Sequence, residues 1–251
     1  MSTDVSTGGG SGADTAAHQF LGDGRVAIVD DARGLPWGHP MAYIALALRR
    51  GIAGLMPQLL PAGGRVLDFG CADSPYRSIV PAGAEYVAAD LPGNPKATVL
   101  VRDNGTLPCA DGEFDAVLSS QVLEHVRNPA TYLAECRRVL RPGGRLLLST
   151  HGTMFLHRDP VDYWRWTCDG LRLALEQAGF RVIELRGVMG LTPMGLLMVL
   201  SGTYRRVPKF LRRLYSALFQ GLMRFFDRLH SDASRAENAL VYVVLVEREG
   251  A

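Results

Sequence analysis

Between Arg65 and Thr150, short β-rich runs alternate with helical patterns, and no other feature of the chain restricts its fold as much. The runs are 65–69 (RVLDF), 85–89 (EYVAA), 97–102 (ATVLVR), 114–119 (FDAVLS) and 144–150 (GRLLLST). The clearest helix between them, 129–140 (PATYLAECRRVL), opens on Asn128 as its cap with Pro129 at its first position, and stops at Arg-Pro-Gly-Gly. A helix at 167–179, with a threonine cap and a terminal glycine, leads into a strand at 181–186 (RVIELR), and a last strand, 239–247 (ALVYVVLVE), follows only after about fifty residues. Alternation of this kind implies a parallel sheet with helices on both faces. Upstream, residues 37–60 carry helical apolar spacing that ends at Pro61.

Composition narrows the function. In 251 residues, 47% of them apolar, one domain with appendages and a sizeable core is expected. A net charge of +2 gives no global field for nucleic acid, so no nucleic-acid partner is expected. Cys71, Cys109, Cys136 and Cys168 have no C-x-x-C spacing and read as free thiols in a reducing cytoplasm, with no metal ligand cluster. The first twenty residues lack a basic segment followed by an apolar one, so they read as a flexible tail rather than a signal peptide. No uncharged apolar run is long enough to span a bilayer, and the expected location is cytoplasmic. The expected divisions are a tail over 1–24, a core over 25–187, a helical cap over 188–238, and the last core strand within 239–251.

The stretch VLDFGCADSPYR, Val66–Arg77, reads as a buried strand, a glycine turn and a helix start. In open parallel sheets, ligands bind where the strand carboxyl ends meet a topological switch point. Gly70 stands just past the first strand end, where the absence of a Cβ lets a ligand approach. Ala72-Asp73-Ser74 offers too few glycines for a pyrophosphate cradle, and Asp73 brings negative charge to the place where an anion would sit. The loop therefore favours a cationic or zwitterionic ligand over a dinucleotide, with Asp68 fixing the loop or a ligand amine and Cys71 beside it. Asp90, twenty residues after Gly70 in YVAADLPG, is placed to accept both hydroxyls of a ribose, with Leu91 next to it. Asp103 and Asn104 follow the third strand; Asp-Asn-Gly also signals a plain turn.

Taken together, VLDFGCADSPYR, YVAADL, RDNGTLPCADGEFDAVLSSQVLEHVRNPATYLAECRRVLRPGGRLLLST and HRDPVDYWRWT resemble class I S-adenosylmethionine-dependent methyltransferases of the methyltransferase-11 type, over about residues 65–187. The resemblance implies a doubly wound, Rossmann-like, seven-stranded and mostly parallel sheet whose last strand is antiparallel, with a helical insert before that strand. It also implies S-adenosylmethionine as cofactor, with Gly70 near the methionine moiety, Asp90 on the ribose, Asp103 and Asn104 at the adenine, and Ser119 and Gln121 on the inner wall. The chain departs from the family at Ala72, where glycine is usual.

Methyl transfer from a sulfonium is an in-line displacement, in which the protein supplies proximity, alignment and a place for a proton. The expected acceptor is a small molecule, methylated on an oxygen ahead of a nitrogen, of a sugar, glycan precursor or secondary metabolite. An alcohol acceptor needs a base, and the candidates are His157, then His151, with Tyr163 next. His125, beside Glu124, reads as part of the frame, and Arg165 and Trp166 as a wall. Two other readings are a binding module that has lost catalysis and an NAD-linked oxidoreductase, although the latter's G-x-G-x-x-G is absent. Within the insert, residues 204–229 are basic and apolar at helical spacing. That pattern suits a cap over the acceptor, with its apolar face buried. It also suits peripheral contact with a membrane, or a homodimer face.

Overall fold

The computed structural model describes residues 35–60, 63–158 and 161–250. The tail expected over 1–24 and the first ten residues of the expected core lie outside this range. Helix α1 (Ala42–Leu59) precedes strands β1 (Arg65–Phe69), β2 (Glu85–Asp90), β3 (Val99–Leu100) and β4 (Phe114–Ser120). Then come α2 (Pro129–Val139), β5 (Leu140–His151), α3 (Cys168–Gln177) and β6 (Phe180–Val188). The insert forms α4 (Leu191–Thr203), α5 (Arg212–Asp227) and α6 (Asp232–Glu237) before β7 (Val241–Arg248). The seven strands make one sheet in the order β3-β2-β1-β4-β5-β7-β6. All pairings are parallel except those of β7, which runs antiparallel to β5 and β6. The expected fold is borne out.

Alternation along the strands explains the two helical layers. In a strand, successive side chains point to opposite faces. Val66, Ala116, Leu118, Leu147, Val243 and Leu245 join α1 and α4 in one apolar cluster. Their neighbours Leu67, Val117, Leu146, Leu148, Val244 and Val246 join α2 and α3 in the other. Both faces of the sheet are thus covered, as a parallel sheet requires.

The helix boundaries follow local chemistry. The Asn128 side chain accepts from Thr131 N at 3.3 Å and caps α2, and Thr167 Oγ1 accepts from Gly170 N at 3.0 Å and caps α3. β5 begins at Leu140, before the glycines, because Phe114 already pairs with Leu140 ahead of a register shift at Ala116. β3 is shorter than the run 97–102 suggests. Only Val99 and Leu100 find partners, on the edge of the sheet.

Candidate active site

The strand order reverses between β1 and β4, so their carboxyl ends open the crevice of the sheet. The loop after β1 is tied down first: Gly70 N and Cys71 N both donate to Ala89 O, at 2.8 and 3.0 Å. Gly70 has φ +84°, and a Cβ there would collide with Val122 Cγ2 in the turn after β4. The glycine is therefore required by close packing of two loops, a reason not visible in the sequence. Ala72 and Ser74 continue the loop with φ +45° and +57°, a region that costs an L-residue roughly 1–2 kcal/mol.

Asp90, at the end of β2, joins the two loops. Its carboxylate accepts from Leu91 N at 2.7 Å, Ala72 N at 2.9 Å and Asn94 Nδ2 at 2.6 Å. Asn94 Nδ2 also lies 2.8 Å from Ala72 O, and Lys96 Nζ donates to Asp73 O at 2.9 Å. Asn94 and Lys96 were not among the expected site residues; their only sequence signal is their position just past the Asp90 turn. Asp68 is buried behind this brace and accepts from the Tyr86 hydroxyl. Burial pushes its carboxyl up to about 7, against the Tyr86 hydrogen bond, and the nearby Asp90 charge pushes the same way. Cys71 is buried beneath the loop, and Leu91 is exposed beside Asp90. Asp103 and Asn104 lie exposed in a turn, where Asn104 Oδ1 accepts from Thr106 N and Oγ1 at 3.1 and 2.7 Å. Ser119 is fully buried, its hydroxyl 2.9 Å from Tyr132 Oη. Gln121 has φ +57°, donates its N–H to Ser149 O at 2.9 Å and approaches Ser149 Oγ through Nε2 at 3.2 Å.

The turn that carries Val122 also carries Glu124 and His125, so one piece of chain touches both the β1 loop and a histidine cluster. The rings of His125, His151 and His157 lie 5.7 to 6.5 Å apart, all edge to face. His151 ends β5 and is buried, with Nδ1 3.4 Å from Glu124 Oε1. That approach lacks hydrogen-bond geometry. Burial pushes His151 down to about 3, helped by Arg165 and His157, and pushes Glu124 up to about 8. Both shifts favour the uncharged forms, so the two face each other as a neutral pair rather than a salt bridge. Thr150 Oγ1 donates to Glu124 Oε2 at 2.9 Å. His125 Nδ1 lies 2.6 Å from Val161 O; an N–H there leaves Nε2 as the acceptor nitrogen. Sequence reading set His125 in the frame, and the structure adds it to the cluster.

The segment after β5 is folded back over this turn. Tyr163 N and Trp164 N donate to Glu124 O at 2.8 and 3.2 Å. Asp162 receives Arg165 on both oxygens at 2.5 Å and His157 N at 2.7 Å, and Arg165 reaches Met154 O and Phe155 O at 2.8 Å. Burial opposes charge on Asp162, but Arg165 and the His157 N–H win and hold its carboxyl below the usual range. His157 is thereby fixed by its backbone while its ring stays half-buried. Tyr163 is exposed. Among the described residues, no three histidine, cysteine, aspartate or glutamate side chains are disposed to hold a metal ion.

Comparison with known proteins agrees with this geometry. Residues 42–185 match the methyltransferase-domain family. The chain is 31% identical over 163 residues to a ubiquinone biosynthesis O-methyltransferase of Dinoroseobacter shibae, covering 51% of this chain and 64% of that one. It spans less than two thirds of the length of such curated relatives. Among solved structures, the [4+2]-cyclase SpnF shares the fold at TM-score 0.53 and 17% identity, over 82% of this chain and 83% of that one. The 1,6-didemethyltoxoflavin-N1-methyltransferase of Burkholderia thailandensis, solved with S-adenosylhomocysteine, does so at TM-score 0.51 and 16% identity, over 80% and 78%. Strand order, loop architecture and family match agree, and the chain belongs to the methyltransferase-domain family, of the class I S-adenosylmethionine-dependent kind.

Proposed function

We propose that the protein methylates an oxygen of a small-molecule acceptor, a sugar, glycan precursor or other biosynthetic intermediate, with His157 taking the acceptor proton. The observation that carries the reading is the shared turn 121–126: Val122 packs against Gly70 in the loop expected to hold the cofactor, and Glu124 and His125 stand among the histidines. The name of the Dinoroseobacter relative supports oxygen as the acceptor atom.

The residues present suit S-adenosylmethionine. Asp90 is a carboxylate at a strand carboxyl end, hydrogen-bonded by N–H groups from two loops. Such a carboxylate suits the hydroxyls of a ribose better than a pyrophosphate. Asp90 and Leu91 would hold the ribose, the backbone of 70–72 the methionine part, Asp103 and Asn104 the adenine edge, and Gln121 the inner wall. When bound, the cofactor supplies an electrophilic methyl group. Everything else falls to the chain. Val122 and Gly70 lock the loops together, and Asp162 with Arg165 ties Met154 O, Phe155 O and the His157 N–H to the residues that lie against Glu124 O. His157 presents a half-buried imidazole whose backbone is held by Asp162. His151, pushed down by burial, is a weaker base than an ordinary imidazole and would line the wall.

The insert supports a roof over the acceptor. Met154 and Phe155, just before His157, pack against the cluster that contains Met194, Leu197 and Met223 of α4 and α5. Incubation of the protein with methyl-labelled cofactor and a metabolite extract tests the proposal. Label recovered in a small molecule as a methyl ether is expected. Label on nitrogen, or in no small molecule, would refute oxygen as the acceptor atom.

A further inference from the structure

Helix α5 is mounted with its polar side inward. Ser216, Gln220, Met223 and Asp227 form its buried face. Gln220 accepts from Tyr43 N and donates to Pro40 O, both at 2.8 Å. Asp227 accepts from Tyr43 Oη at 2.8 Å and Gly190 N at 3.0 Å. These four bonds fix the rotation of the helix about its axis. Residues at three- and four-residue spacing share a helix face, so the opposite face must point outward. That face is apolar: Leu214, Leu218 and Phe225 are exposed, with Phe210 in the turn before them and Leu229 in the turn after. Phe210 is 83% exposed, Leu214 70% and Leu229 69%. A contiguous exposed stripe of this kind marks an interaction surface.

We propose that this face docks on an anionic lipid bilayer. The argument is charge. Residues 204–229 carry seven arginines and lysines and one acid, Asp227, which is buried on the inner side. Arg213 and Arg228 are exposed beside the apolar stripe. A second copy of the chain, paired about a two-fold axis, sets this face against itself, cation against cation, and residues 204–229 offer no exposed acid to neutralise it. An anionic bilayer accepts both parts: the leucines and phenylalanines enter the boundary between headgroups and acyl chains, and the arginines meet the phosphates. No helix among the described residues is long and apolar enough to cross a membrane; the contact proposed is a peripheral one. The Asp227 end of α5 is bonded to Gly190, just past β6, at the same edge of the sheet as the candidate active site.

The test is sedimentation of the full chain with vesicles of equal phosphatidylglycerol and phosphatidylcholine, and with phosphatidylcholine alone. Binding to the anionic vesicles only is expected, weakening at least about tenfold between about 0.1 and 0.5 M salt as charges are screened. The Leu214→Glu, Leu218→Glu double variant should lose binding while its melting temperature stays that of the parent. Leu214→Trp should be quenched by brominated acyl chains, an independent readout if the double variant proves unstable. No binding, equal binding to neutral vesicles, an unquenched tryptophan, or a dimer in solution that Leu214→Glu converts to monomer would each overturn the proposal.

Discussion

Among single residues Ala72 stands out, because it takes a left-handed conformation, φ +45°, that an L-residue rarely adopts. Relief of that strain should outweigh the freedom a glycine adds to the unfolded chain. Ala72→Gly is therefore expected to stabilise the fold by about 0.5–1 kcal/mol, read from denaturant unfolding. Gly70 is the opposite case. Gly70→Ala should destabilise strongly, since the new Cβ meets Val122, and Val122→Ala should restore part of the loss. Replacing His157 by alanine should lower turnover about 10²–10⁴-fold with cofactor affinity unchanged. His151→Ala should cost less, because burial already disfavours its protonated form. If His157→Ala retains full turnover, Tyr163 is the next group to replace.

At the scale of elements, legibility followed the range of the physics. The α2 helix could be read from Asn128 and Pro129 because a cap acts within one turn. The core strands could be read because alternation and burial are local patterns. β3 could not, since its length depends on how far the edge finds a partner in β2. The insert was legible as helices but not in its orientation. Burial of its apolar face was expected, and in α4 Met194, Leu197 and Leu200 are indeed buried. In α5 the long-range hydrogen bonds from Gln220 and Asp227 to residues 40–43 and 190 decide, and they turn the apolar stripe outward. Gln220→Ala should consequently cost about 1–3 kcal/mol, because it leaves Tyr43 N and Pro40 O buried without partners. A change below about 0.5 kcal/mol on chemical denaturation would show that these bonds do not seat the helix.

For the whole molecule, the buried acids set the response to pH. Asp68 and Glu124 hold protons in the folded state up to about 7 and 8, while their unfolded values lie near 4. Groups raised in this way contribute stability that is lost as pH rises through the folded value. His151 acts oppositely, but only below its unfolded value near 6.5, where the unfolded chain takes up its proton. Between about pH 6.5 and 8 His151 no longer offsets the two acids, so the melting temperature should fall with rising pH, and Glu124→Gln should flatten that fall. A profile in Glu124→Gln as steep as the parent's would show that Glu124 is already ionised. The positions of Gly70 and Asp90 at strand carboxyl ends were legible because alternation and burial mark where β1 and β2 stop. The cross-brace from Asn94 to Asp90 and Ala72 was not, since it depends on how two loops meet. That junction is where the account is most exposed. Calorimetric titration of S-adenosylhomocysteine into the parent and into Asp90→Ala tests it most directly, with folding of the variant verified by melting. Saturable binding by the parent, none of NAD, and a loss on the order of 1.5–3 kcal/mol in the variant are predicted. Equal affinity in the two proteins would contradict the assignment of Asp90, and with it the site built around the β1 and β2 loops.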